Sequence, residues 1–144
     1  MAQVIENRKA KFNYNIISTF SSGILLIENE IKSIRDGKIS FLNSFCGFNG
    51  KELFLKSCHI SHYGKFDSFE ETRDRKLLLT KSELRKLKTQ STEKGFTIIP
   101  LKGYFSKNNL FKIEIALCKS KNTYDKKKST MAKESYKFSF NEDY

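Results

Sequence analysis

Arg73, Arg75 and Lys76 stand immediately before three consecutive leucines, Leu77, Leu78 and Leu79, and Lys81, Arg85 and Lys86 follow closely. Cations at this density suit phosphate oxygens, since each one that meets a phosphate also releases a condensed counterion. A soluble chain normally hides such leucines, and hiding them requires no arginines alongside. The segment therefore reads either as core leucines beside solvated charges, or as a contact surface with apolar and cationic parts. In an extended strand ending at Thr80, Leu77 and Leu79 point one way and Leu78 the other. With that alternation, Leu77 and Leu79 can be core while Leu78 faces the other way.

Other candidate chemistry is thin. Cys58, His59 and His62 in "CHISHY" resemble half of a metal site, but on a strand Cys58 and His59 face opposite sides and no second half follows. The three cysteines, Cys46, Cys58 and Cys118, sit in apolar contexts and read as small buried hydrophobes without disulfides. No serine or cysteine occupies a nucleophile elbow, and no glycine-rich phosphate loop occurs. Glu70 and Glu71 adjoin Arg73, which predicts a surface salt bridge. Neither a metal, a cofactor nor catalysis is expected.

The elements that must position these residues are mostly strands. "FKIEIALCK" alternates Phe111, Ile113, Ile115 and Leu117 with Lys112, Glu114, Ala116 and Cys118, the pattern of a half-buried strand. "FTIIPLKGYF" precedes it across the turn "SKNN", with Pro100 marking an edge or a bulge. "ISFLNSFCGF" and "KELFLKSCHI" flank Asn49-Gly50, which predicts a hairpin with a type I′ turn. "KFNYNIISTF" and "GILLIE" read as two stretches interrupted at "SSG". Two helices are expected. One is capped by Asn29, carries Ile31 and Ile34, and ends at Gly37. The other is capped by Thr80 with Glu83 three residues on, carries Leu84 and Leu87, and ends at Gly95. About six short strands predict a mainly β fold, a small closed barrel with two or three accessory helices and phenylalanines inside. A two-sheet sandwich is the alternative.

The chain has 144 residues, enough for one domain with a real core, and a net charge of +11. Such an excess suits a polyanionic partner. No apolar run approaches the roughly 18 residues of a membrane span, and the first residues lack a signal peptide's apolar core, which predicts a cytoplasmic protein away from membranes. From Lys119 the character changes: between Lys119 and Lys133 six lysines face one aspartate. Residues 1–118 read as the barrel domain and 119–144 as a basic tail, unfolded on its own.

With these segments in hand, the chain resembles the SmpB family, the SsrA-binding proteins. The matching stretches run in order: "NRKAKFNY" from Asn7, "F-x-x-G-I" from Phe20, "EIKSIRDGK" from Glu30, "HIS-x-Y" from His59, "TRDRKLLLTKSELRKL" from Thr72, "EKGFTIIPLK" from Glu93, "KIEIALCKSK" from Lys112 and "YDKK" from Tyr124. The resemblance implies an OB-type barrel that binds the tRNA-like domain of transfer-messenger RNA. It implies delivery of that RNA, with elongation factor Tu, to stalled ribosomes in trans-translation, where the nascent peptide is tagged. The RNA face would hold Leu78 and Thr80, with Arg73, Arg75 and Lys76 on phosphates, and more loosely Arg8, Lys9 and Lys11 of the N-terminal segment and Lys32 and Arg35 of the first helix.

In the tail, Lys119, Lys121, Tyr124, Asp125, Lys126 and Lys127 would meet the decoding centre and message channel, Tyr124 by stacking on ribosomal RNA. Three departures stand out. Ser21 replaces an RNA-facing glutamate, Ser120 a customary glycine, and the end of the tail is short and poor in arginine. A monomer is expected. A general single-strand-binding barrel is the alternative function.

Overall fold

The computed structural model of the chain describes residues 4–8 and 10–120. Nine strands and three helices follow one another as β1 (Val4–Glu6), α1 (Ala10–Asn13), β2 (Tyr14–Ile24), α2 (Glu28–Arg35), β3 (Ile39–Ser40), β4 (Phe45–Asn49), β5 (Glu52–Lys56), β6 (His59–Ile60), β7 (Arg75–Leu78), α3 (Lys81–Glu93), β8 (Thr97–Phe105) and β9 (Phe111–Ser120). Six strands form a ring in the order β8-β4-β5-β7-β2-β9, and β9 returns to pair with β8. Every neighbouring pair is antiparallel. β1 extends the sheet on the remaining edge of β8, and β3 pairs with β6 in a small ribbon apart. The fold is mainly β with two substantial helices, as expected.

Period-two patterning decides which way each strand faces. Ile113, Ile115 and Leu117 of β9 enter the ring with Leu53, Leu55, Leu77 and Ile98. The interior is chiefly isoleucine and leucine. Among the described residues Phe41 and Phe111 are the buried phenylalanines, several others are partly buried against this core, and Phe45 and Phe66 stand outside. The expectation that phenylalanines fill the interior is thus corrected. α3 sends Leu87 fully into the core and Leu84 partly. β9 is buried on its other side too near its end, where Ala116 and Cys118 meet Ala10 and Ile99 in a second cluster. All three cysteines are free and buried, and burial pushes the thiols of Cys58 and Cys118 up to about 12.

Several local expectations are met. Pro100 lies at a register shift in the β8–β9 ladder. The Thr80 hydroxyl accepts the Glu83 amide (3.2 Å) and the Glu83 carboxylate accepts the Thr80 amide (3.0 Å), the reciprocal capping box. Gly95 closes the segment with a positive φ.

Others are corrected. "SSG" does not break the chain, because β2 runs continuously through it. α2 begins at Glu28 after the cap Ile27, two residues earlier than an Asn29 cap allows. Asn49 pairs with Glu52, so the hairpin turn is Gly50-Lys51. Only Gly50 of these has a positive φ, the II′ pattern rather than I′. The long flanking runs are each split: residues 41–44 separate β3 from β4, and Ser57, at φ 61°, separates β5 from β6.

Candidate nucleic-acid interface

Residues directly opposite in an antiparallel ladder share a face. Leu78 faces Gly23, Gly23 faces Lys112, and Lys112 faces Tyr104, giving one row across four strands. On one side, Lys76 lies opposite Phe54. On the other, Ser21 lies opposite Glu114, which lies opposite Lys102. These rows form the outer face of the sheet. Leu77 is buried and Leu79 partly so, while Leu78 is 44% exposed. The leucine triplet therefore divides as its alternation predicts.

Gly23 explains how Leu78 is held. A Cβ at position 23 would sit 3.3 Å from Cβ of Leu78, so the leucine lies over bare backbone. Nearby, the Ser21 hydroxyl and the Tyr104 hydroxyl are 3.1 Å apart, and Lys102 pairs with Glu114 at 3.5 Å. Arg8 is exposed and lines a hollow of about 380 Å³ with Thr19, Lys102 and Glu114. Lys76 pairs with Glu52 at 2.7 Å, but both side chains are well exposed, so this link exchanges readily with another anion. Arg8, Ser21, Lys76 and Leu78 thus come together on one side of the ring.

Arg75 does not join them. Its side chain is 0% exposed and donates through Nε and Nη2 to Glu30, itself 0% exposed. Its guanidinium also donates to the carbonyls of Cys58, Arg73, Glu70 and Glu71. Arg75 has the parity of the core residues Leu55 and Leu77, and a buried guanidinium requires this full set of acceptors. The expected phosphate contact at Arg75 is corrected to a structural one.

Arg73 is 32% exposed and also binds Glu30, with Nε to Oε2 at 2.9 Å and Nη2 to Oε1 at 2.7 Å. Burial raises the Glu30 pKa, but bonds from Arg73, the Ile27 amide and Arg75 outweigh it and hold the carboxyl below its usual range. The two arginines therefore tie β7 to α2. The expected Arg73 bridge to Glu70 or Glu71 is absent among the described pairs, and Glu71 instead takes His59 (3.3 Å) and the His62 amide (3.0 Å).

The remaining expected residues separate. On α2, Lys32 pairs with Glu28 (3.6 Å) and lies over the Tyr63 ring, while the Arg35 guanidinium covers the Phe105 ring at 4.7 Å. Thr80 serves as the cap of α3 and is exposed. Lys11 falls in α1. Lys119, expected to open the tail, lies in β9 opposite Asn15. Lys9, Lys121, Tyr124, Asp125, Lys126 and Lys127 lie outside the described residues. Two features escaped the sequence reading. Lys51, Lys81, Arg85 and Lys88 line a groove of about 690 Å³ between α3 and the β4–β5 turn. Exposed Leu25 and Ile27 also continue the apolar surface from Leu78, and the Leu25 amide donates to the Lys76 carbonyl.

A cationic β body whose outer sheet face mixes lysines, aromatics and exposed aliphatic side chains has the build of a small nucleic-acid-binding domain. The family model described as SmpB protein matches residues 4–140, and the chain belongs to that family.

Curated relatives called SsrA-binding protein are similar over nearly the whole chain. The one from Chlorobium luteolum is 42% identical across 92% of this chain and 85% of its own. That from Christiangramia forsetii is 44% identical across 91% and 85%. A solved chain described as "tmRNA-SmpB: a journey to the center of the bacterial ribosome" is 39% identical, with a TM-score of 0.71 over 88% of this chain and 94% of that one.

Proposed function

We propose that this protein is the RNA-binding cofactor of trans-translation, which grips the tRNA-like domain of transfer-messenger RNA and brings it to stalled ribosomes. Leu78 carries the reading: a leucine held outward over Gly23, with Lys76 beside it, suits an RNA loop whose sugars and bases offer apolar surface and whose phosphates attract the lysine. Arg8, Ser21 and Thr80 extend the same contact, and Lys32 and Arg35 flank it from α2. Arg73 contributes its exposed part while its inner nitrogens hold Glu30. The closed ring of six strands is, in this reading, the OB-type barrel, which presents such faces to nucleic acids.

The protein acts by binding rather than by catalysis, as a monomer in the cytoplasm. Elongation factor Tu is engaged through the charged RNA, and the basic tail from Lys121 reaches into the decoding centre and message channel. Lys119, opposite Asn15 at the start of β2, adds charge there, and Lys9 and Lys11 are further cations for the same RNA. The decisive experiment is a gel shift with the cognate transfer-messenger RNA against a tRNA competitor. Strong preference for the tRNA-like RNA supports the reading. Equal binding to tRNA and to single-stranded DNA would replace it with a general single-strand-binding function.

A further inference from the structure

Phe66 is 92% exposed, the most exposed of the large apolar side chains among the described residues. Its loop is nevertheless tightly organised. The Asp67 carboxylate accepts the amides of Tyr63 (2.7 Å) and Gly64 (2.8 Å) and the side-chain amide of Asn29 (2.5 Å), and the Asp67 amide returns to the Gly64 carbonyl. The aromatic ring is thus displayed from a short, braced turn anchored on the first turn of α2. Lys65 is its exposed neighbour, and Lys32 lies over the ring of Tyr63, which belongs to the same loop, at 5.6 Å. The location follows from connectivity. Leu25 lies beside Lys76, Ile27 follows, and α2 starts at the next residue with Asn29 holding the loop. Along the chain, exposed Leu25 and Ile27 lie between the strand that faces Leu78 and the helix that anchors the Phe66 loop.

We infer that Phe66 is a base-stacking anchor at the far end of the RNA interface, taking an unpaired base of the same tRNA-like RNA that meets Leu78. A flat exposed ring next to Lys65 in the chain, in a loop whose Tyr63 ring carries Lys32, offers a π-face for the base and cations nearby for its phosphates, and a braced loop loses little freedom on contact. The inference rests on the RNA-binding reading above.

The chain contains no tryptophan, so Phe66→Trp creates a single fluorescent reporter at an exposed site. Titration with the isolated tRNA-like domain is expected to quench its emission, with a midpoint equal to the dissociation constant from a parallel gel shift. Phe66→Ala is expected to raise that constant by about 5- to 100-fold while leaving its salt dependence unchanged, because stacking releases no counterions. Circular dichroism of both variants establishes that they fold. Normal RNA binding with flat emission and no loss in Phe66→Ala would overturn the anchor and leave the RNA reading standing. Quenching that requires added ribosomes would assign the ring to another partner and likewise overturn it. Absence of RNA binding by the unaltered protein would remove the RNA reading itself.

Discussion

Leu78 and Arg75 lie three residues apart and have opposite fates, and substitution separates them. Leu78→Ala is expected to change folding stability by no more than about 0.5 kcal/mol, as at other exposed sites, while weakening RNA binding. Lys76→Ala should flatten the salt dependence of RNA affinity by about one counterion; an unchanged slope rejects it as a phosphate contact. Arg75→Ala should instead lower the urea midpoint steeply, since it strips Glu30 of its fully buried partner. Intact stability there would refute the structural role. The outward leucine was legible because alternation is written locally in the residues themselves. The same alternation turns Arg75 to the side of Leu77, but its burial as a charge was not legible, because its partner Glu30 is 45 residues away in sequence.

Among elements, α2 and β7 depend on one another through Glu30. Glu30→Gln is expected to cost about 3 kcal/mol in urea unfolding at neutral pH, because two guanidinium groups lose their counter-charge. The sign with pH follows from the lowered carboxyl. Stability from this pairing is present above the ordinary carboxylate value of 4.5 and is lost as pH falls through the lower folded value. The unaltered protein should therefore weaken in acid more steeply than Glu30→Gln, and parallel curves would exclude Glu30 from the acid response. Thr80→Ala should cost about 1 kcal/mol through the lost cap of α3, measured in the same denaturation. Helix α3 was readable because its capping box and glycine stop are local signals. The continuity of β2 was not, because "SSG" is ordinary turn chemistry that the long β2–β9 ladder overrides.

For the whole molecule, the proposed function divides the work between the body and the basic tail. Truncation after Thr123 is expected to leave RNA binding nearly intact and to abolish peptide tagging on stalled ribosomes in a reconstituted translation assay. Full tagging by the shortened protein would show that the tail is dispensable. Closure of the ring could be anticipated only as strand count, since a sequence announces strands but not which edges meet. The register of β2 sets a further dimension. Tyr14 faces Ser120, where the described chain ends, and Gly23 faces Leu78. Nine residues of strand separate these points, about 30 Å at the usual rise. The strand is paired along this stretch with one register shift, between Ile16 and Ser18, so the offset between its two ends is set by the fold. Under the proposed function, an RNA held at the Leu78 end would find the start of the lysine-rich extension at an offset fixed by the fold, and two distant docking events would become one geometric commitment.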